Sequence, residues 1–355
     1  MILVGLGIKF DKIAYKNKKD YGWMIEDGML FSIIVAAYNV QDYIDDCIAS
    51  CEHQDIDRSY YEIIVINDGS TDGTLDRVKE LKRRYSNIKL LCQPNQGQSV
   101  ARNIGVKETS GKYIWFVDSD DRISKNCLGR IYKIMEENNL DAFSVVGDKF
   151  LEEVNNDTDM SLRPVVKGVT YLIDNAPTVA APWGYVFKRQ FWQERGFSFI
   201  SGIYYEDYQL IPIVLSQCSK ITTFVDRISC YDYISRPSST MNSPLNARKI
   251  NGYISIVNTH MQYSKEVDSE ALRNYFEVSS SYCFIACIKK ILWCTKDMRS
   301  QLNRFLEGID ERPKRVYAGT FWGKVKQYVE LRFPIVYCAM VRALIFLLGR
   351  GKTHK

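Results

Sequence analysis

Three acidic clusters hold the residue types best suited to chemistry. The densest is Asp118-Ser119-Asp120-Asp121, three carboxylates in four residues. Packed like charges repel and cost stability unless a cation or a cationic side chain offsets them. Mg²⁺ or Mn²⁺ prefers oxygen ligands and commonly bridges carboxylates to substrate phosphates, so this turn is expected to be a metal-diphosphate site. The bland alternative is an acidic turn with Asp121 as a helix cap. The second cluster is Asn67-Asp68-Gly69-Ser70-Thr71-Asp72-Gly73-Thr74. Asp68 there could accept the N–H of a base or a ribose hydroxyl proton, while Asp72 is placed to cap the next helix. The third is Tyr204-Tyr205-Glu206-Asp207-Tyr208, an acidic pair amid aromatics. Desolvation there could raise a carboxyl toward neutral pH and make it a general base, although such pairs are common on surfaces.

The elements around these clusters place the first two at strand ends. Phe31 to Ala37, Tyr61 to Ile66, Ile88 to Cys92, Tyr113 to Val117 and Ala142 to Val146 are apolar runs of strand length. Between them lie helical stripes: Val40, Ile44, Cys47, Ile48 and Cys51; Leu75, Val78, Leu81 and Tyr85; Val100, Ala101 and Ile104; Leu128, Ile131 and Met135. Strands alternating with helices predict an α/β fold with a mostly parallel central sheet flanked by helices. In such sheets ligands bind beyond the carboxyl ends of the strands, where Asp68 and Asp118 fall. From Asn246 to about Leu306 the pattern is helical and carries no chemical motif.

Composition excludes several classes. Of 355 residues, 46% are hydrophobic and 25% charged, which is globular. The net charge of +5 is too mild to argue for nucleic acid. Arg312 to Lys355 holds ten Lys or Arg against one acid, Glu330, which concentrates the basic charge in the tail. The three histidines are too scattered for a zinc site, and the ten cysteines, at helix-face spacings such as Cys47/Cys51 and Cys283/Cys287, read as reduced core residues. Val4-Gly5-Leu6-Gly7 lacks the third glycine of a dinucleotide loop, position 10 being Phe10. The start shows no secretory signal pattern.

Ordered blocks in Phe31 to Phe150 resemble the nucleotide-binding half of family 2 glycosyltransferases, which have the GT-A fold. These blocks are Ile33-Ile34-Val35-Ala36-Ala37-Tyr38-Asn39, Val65-Ile66-Asn67-Asp68-Gly69-Ser70-Thr71-Asp72-Gly73-Thr74, Asn95-Gln96-Gly97 with Ala101-Arg102-Asn103-Ile104-Gly105, and Phe116-Val117-Asp118-Ser119-Asp120-Asp121. Tyr205-Glu206-Asp207 resembles the family's acidic pair before a helix, and Trp183 to Lys188 the segment preceding it. The resemblance covers about 31 to 240. It implies that Tyr38 and Asp68 hold the nucleobase, a carboxylate there suiting uracil, and that Arg102 lies near the nucleotide. It implies that Asp118 and Asp120 face the ribose and a Mg²⁺ or Mn²⁺ ion, with Asp120 the main ligand. Asp207 would be the catalytic base, supported by Glu206, and Arg236 would touch the leaving diphosphate. Ala36 departs from the pattern, since many relatives carry Thr or Ser there.

The expectation is therefore a poorly ordered extension at 1–30 and a GT-A catalytic domain at 31–240. The domain would divide into a nucleotide-binding half at 31–150 and an acceptor half at 151–240. A helical region at 241–310 and a basic amphipathic, membrane-associating tail at 311–355 would follow. The expected activity is inverting transfer from a nucleotide-sugar donor, a UDP-sugar, to a glycan or lipid-linked glycan in bacterial surface-polysaccharide synthesis. It would take place on the inner face of the cell membrane, with no nucleic-acid partner. Two alternatives come from other classes. One is a non-catalytic sugar-nucleotide-binding scaffold, which donor hydrolysis would separate. The other is a nucleotidyltransferase, which needs a Gly- and basic-rich phosphate loop not found here.

Overall fold

A computed structural model describes residues 28–155, 158–176, 179–225, 228–235, 243–292, 297–315 and 320–341. Residues 1–27 of the extension expected at 1–30, Arg236 and the tail beyond 341 lie outside the described residues.

The strands are β1 (Phe31–Ala37), β2 (Tyr61–Asp68), β3 (Ile88–Gln93), β4 (Tyr113–Asp118), β5 (Arg122–Ile123), β6 (Ala142–Ser144), β7 (Lys149–Phe150), β8 (Tyr185–Lys188), β9 (Ile221–Thr223), β10 (Ile228–Ser229) and β11 (Tyr231–Asp232). Seven of them form one sheet in the order β3-β2-β1-β4-β8-β6-β9. The β3-β2-β1-β4 half is wholly parallel, and β8 runs antiparallel to both β4 and β6. Parallel pairing needs crossovers, and helices α1 (Ile44–Glu52), α2 (Thr74–Arg84) and α3 (Gln98–Lys107) supply them. The expected architecture holds: a mostly parallel sheet flanked by helices, with a helical C-terminal region.

Alternate residues of each central strand feed two different cores, which is why these strands read as unbroken apolar runs. Ile33 and Val35 join Ile44, Cys47, Val78 and Ile131 on one face. Ile34, Ile64 and Ile66 join Ala101 and Val106 of α3 on the other. Gly105 lets α3 lie this close, because a Cβ there would sit 2.4 Å from Ile34 Cγ2. The Ile131 side of the first core belongs to α4 (Leu128–Asn138). The second core extends through α5 (Gly168–Asp174), α6 (Arg189–Glu194) and α7 (Glu206–Ser216).

A third core joins α8 (Ala247–Glu266), α9 (Glu270–Leu292), α10 (Met298–Glu307) and α11 (Phe321–Arg332), the last through Leu331. Residues 334–341 are helical and add Cys338 to it. Among the described residues no helix is long and apolar enough to cross a membrane. Eight of the nine described cysteines are buried.

Two local expectations change. Asp72 is one residue too early to cap α2, whose N-cap is Gly73; its Oδ1 instead accepts the Thr74 N–H at 3.0 Å. Asp121 caps no helix, because its carboxyl turns inward to other partners.

Candidate active site

Tyr38, Asp68 and Asp118 lie at the carboxyl ends of β1, β2 and β4, three neighbours in the sheet. The β1 and β2 loops interlock. Asn39, at φ 50°, accepts the Thr71 N–H at 2.8 Å and donates its own N–H to Ser70 Oγ at 3.1 Å. Tyr38 is left 47% exposed beside them, an aromatic face open to a flat ring.

Asp68 is buried, and its carboxylate is already engaged. Oδ1 accepts from Gln93 Nε2 at 2.6 Å and the Gln96 N–H at 2.8 Å, and Oδ2 accepts the Gly97 N–H at 2.8 Å. It therefore organises the loop that leads into α3. A carboxylate oxygen accepts two hydrogen bonds, so Oδ2 retains capacity for one more donor.

The two remaining acidic clusters meet through Arg102. Projecting from α3, Arg102 is 4% exposed. Its Nη2 donates to Asp118 Oδ1 at 2.7 Å and its Nη1 to Glu206 Oε1 at 2.9 Å. Burial disfavours the guanidinium charge, but Asp118 and Glu206 outweigh it and hold the group protonated. Glu206 opens α7 and is fully buried. Its Oε1 also accepts from Gln98 Nε2 at 2.5 Å, while Oε2 has no hydrogen-bond partner. Burial pushes the Glu206 carboxyl up despite the opposing effect of Arg102.

Asp207 follows, partly exposed, with Oδ1 accepting the Tyr208 N–H at 2.7 Å. Burial, then the neighbouring Glu206 charge, raises its pKa to about 7. That value suits a general base at neutral pH. The preceding residue, Tyr205, sits at φ 67°, a left-handed conformation unfavourable for a tyrosine. Gly252 of α8 accommodates this turn, since a Cβ there would come within 2.0 Å of the Tyr204 carbonyl oxygen.

In the turn after β4, Tyr231 is a hub that the sequence did not reveal. Its hydroxyl accepts the Asp118 N–H at 3.0 Å and donates to Asp121 Oδ2 at 2.8 Å. Asp121 Oδ1 accepts the Ile234 N–H at 2.8 Å. Burial, then Asp118, raises Asp121 to about 7. Gln98 and Tyr231 were both missed, because nothing in their local spacing marks an ordinary Gln or Tyr as a partner of an acid over a hundred residues away.

Among the described residues no group of three or more His, Cys, Asp or Glu converges as a closed metal cage. The turn nevertheless fits an open site of hard oxygen donors. Asp118 and Asp120 both act to raise Asp121, a sign of accumulated negative charge. Mg²⁺ typically needs only one or two carboxylates besides phosphate and water. The structure thus brings Tyr38, Asp68 and Asp118 to one end of the sheet, with Asp120 in the turn after β4, and Arg102 ties Asp118 to Glu206, the neighbour of Asp207.

Comparison with known proteins agrees with this geometry. Residues 32–202 match the family described as Glycosyl transferase family 2. Over 124 residues the chain is 40% identical to the Bacillus subtilis glycosyltransferase EpsJ, covering 35% of each chain. Over 115 residues it is 37% identical to a poly(ribitol-phosphate) beta-glucosyltransferase of Bacillus spizizenii, covering 32% of this chain and 18% of the relative. It is 33% identical to the putative teichuronic acid biosynthesis glycosyltransferase TuaG of Bacillus subtilis, covering 42% of this chain and 64% of that one. The chain thus spans less than two thirds of the length of these relatives. The solved structure of S. aureus TarS 1-349 in complex with UDP-GlcNAc superposes with a TM-score of 0.69 at 20% identity, covering 92% of this chain and 93% of that chain. A mannosyltransferase from Pyrobaculum calidifontis, in complex with GDP-Man and Mn²⁺, gives 0.50 at 14% identity, covering 91% of each. Residues 32–202 are thus similar to glycosyltransferase family 2, and the chain has the GT-A fold.

Proposed function

We propose that the protein is an inverting glycosyltransferase of bacterial surface-polysaccharide synthesis. It would move a sugar from a UDP-sugar to a hydroxyl of a glycan or lipid-linked glycan. The observation that carries this reading is the single guanidinium of Arg102 joining Asp118, on the strand-end acid turn, to Glu206, the neighbour of Asp207. One buried cation thereby holds a donor-side acid and the candidate base in a fixed relation.

Tyr38 packs on the base, and Asp68 accepts its N–H. Asp118 and Asp120 would hold Mg²⁺ or Mn²⁺, which when bound would supply positive charge to offset that of the diphosphate. Asp207 takes the proton from the acceptor hydroxyl, whose oxygen attacks the anomeric carbon from the face opposite the nucleotide. Displacement from that face inverts the configuration. Glu206 keeps Asp207 in place, and Arg236 meets the leaving diphosphate. The test is metal-dependent hydrolysis of a panel of nucleotide sugars. Activity is expected to vanish in EDTA and in Asp120→Ala with the fold retained. Full turnover of the dialysed protein in EDTA would overturn the metal assignment, and no turnover with any donor would overturn the transferase.

The tail is proposed to contact the inner face of the membrane. Within 320–341 the one acid, Glu330, is buried, which leaves Lys324, Lys326 and Arg332 exposed among Tyr328, Phe333, Ile335, Val336 and Met340. An apolar and cationic surface without exposed acid suits the interface of anionic lipid. Flotation with anionic liposomes is expected for the full chain and not for a truncation at Glu311. Equal behaviour of both would remove the tail from the reading.

A further inference from the structure

The acid turn is backed by an aromatic stack that the catalytic reading does not use. The Trp183 and Tyr231 rings lie 4.5 Å apart at 12°, and Trp183 and Tyr233 lie 5.8 Å apart at 19°. The stack is anchored at both ends of its inner layer. Trp115 Nε1 donates to the Trp183 carbonyl at 2.9 Å, and the Tyr231 hydroxyl is held between the Asp118 N–H and Asp121. Tyr231 is buried, but Tyr233 is 52% exposed. Its neighbour Asp232 is fixed by Arg122 at 2.5 Å, so the backbone that presents Tyr233 is tied to β5 by an ion pair as well as by strand pairing.

Strand order says which part of a ligand this stack would meet. Trp115 of β4 pairs with Val186 of β8, antiparallel. Continuing that register brings Trp183 level with Asp118, at the same end of the sheet. Tyr38 and Asp68 lie on the β1 and β2 side of Asp118, whereas Trp183 lies on the β8 side. A nucleotide sugar with its base over β1 and β2 and its diphosphate at Asp118 has its sugar, and beyond that the acceptor, toward β8. A pyranose ring presents a face of C–H groups. That face loses water favourably against an aromatic ring and meets the negative face of its π-system.

We propose that Tyr233, backed by Trp183, is a pyranose-stacking subsite beside the acid turn. This rests on the nucleotide-sugar reading for its orientation, but its chemistry is separate from the metal and the base. The pyranose could be the sugar of the donor or a ring of the acceptor, and the two sources separate by binding. The proteins are the full chain, Tyr233→Ala and Tyr233→Phe. The probes are UDP, a panel of UDP-hexoses and a panel of methyl hexopyranosides, measured by calorimetry and saturation-transfer NMR. Thermal denaturation checks that the variants remain folded.

Tyr233→Phe keeps the aromatic face and is expected to bind as the full chain does. Tyr233→Ala is expected to weaken sugar binding by about tenfold while UDP affinity holds. Loss confined to the UDP-hexose advantage over UDP assigns the donor sugar, and loss confined to the glycosides assigns the acceptor. Tyr233→Ala binding both classes like the full chain overturns the subsite, as does absence of sugar binding by the full chain. Failure of UDP to bind, with glycoside binding still lost in Tyr233→Ala, overturns the donor reading and leaves the subsite standing.

Discussion

The turn after β4 and the start of α7 each place adjacent acids at the site, and they restrain them differently. In the turn, Asp118 leans on Arg102, while Asp121 folds back onto Tyr231 and the Ile234 N–H. At α7, Glu206 is buried against Arg102 and Gln98, while Asp207 next to it remains partly exposed. In both places one acid is used to hold the architecture, and a neighbour is left at the surface. The turn is held by the Tyr231 hydroxyl of β11, by the Ile234 N–H just beyond that strand and by Arg102. The α7 pair is held by side chains and by a strained turn. The second arrangement has fewer independent supports, so changes there should reach catalysis more directly.

The largest expected effect is at Asp207. Asp207→Asn keeps an oxygen to accept the Tyr208 N–H but cannot take a proton, so kcat should fall on the order of 10²-fold or more with donor affinity unchanged. Calorimetry with the nucleotide beside steady-state kinetics checks this. Lost nucleotide affinity with normal turnover would move Asp207 to the donor side. Next comes Arg102→Met, which strikes both clusters at once. It leaves Glu206 buried without its cation and should cost about 3–5 kcal/mol in chemical denaturation, with loss of turnover. A stable, inactive variant would show that Arg102 acts on substrate and not as a brace.

Much of this was legible in the sequence, for physical reasons that differ by region. β1, β2 and β4 are covered on both faces, so they read as apolar runs, and strand ends then locate Asp68 and Asp118 without any structure. Charge density marked the whole Asp118-Ser119-Asp120-Asp121 turn, and resemblance to the family distinguished Asp120 within it. The α7 pair was not legible from its residue types. Glu206-Asp207 looks like surface until Arg102, a hundred positions earlier, is seen to bury one member. Resemblance to the family, not pattern, singled the pair out. Asp68 was legible as a strand-end carboxylate, but its engagement by Gln93, Gln96 and Gly97 depends on how two loops meet. β5, β7, β10 and β11 are two residues long, too short to carry a period, and Tyr231 was lost with them.

A pair of glycines sharpens the contrast. Gly252→Ala would drive a Cβ into the Tyr204 carbonyl and displace the strained turn that starts α7. Gly105→Ala would press on Ile34 beneath the nucleotide half. Both should lose about 1–3 kcal/mol from overpacking. Only Gly252→Ala is expected to lower kcat several-fold beyond its stability loss, measured at a temperature where both variants are folded. Equal kinetic effects would mean that the α7 turn is no more delicate than the sheet.

The smallest effect is in pH, where the α7 pair should act on stability and on activity with opposite signs. In the folded chain Asp207 is raised to about 7 from an ordinary value of 3.8. Between those values the folded state retains a proton that the unfolded chain has released. Unfolding free energy therefore declines as pH rises through this window. The contribution of protonated Asp207 is fully present below the ordinary value and is lost as pH passes about 7. Asp121, also raised to about 7, adds a decline of the same sign. Activity runs the other way, because a base must be deprotonated, so kcat/KM should climb through about 7. Thermal unfolding from about pH 5 to about pH 8 should show Tm falling in the full chain. In Asp207→Asn the fall should be shallower, its remainder coming from Asp121 and from Glu206, whose carboxyl burial also pushes up. If the two proteins lose Tm in parallel, Asp207 carries no extra proton in the folded state. The climb in kcat/KM would then belong to another group.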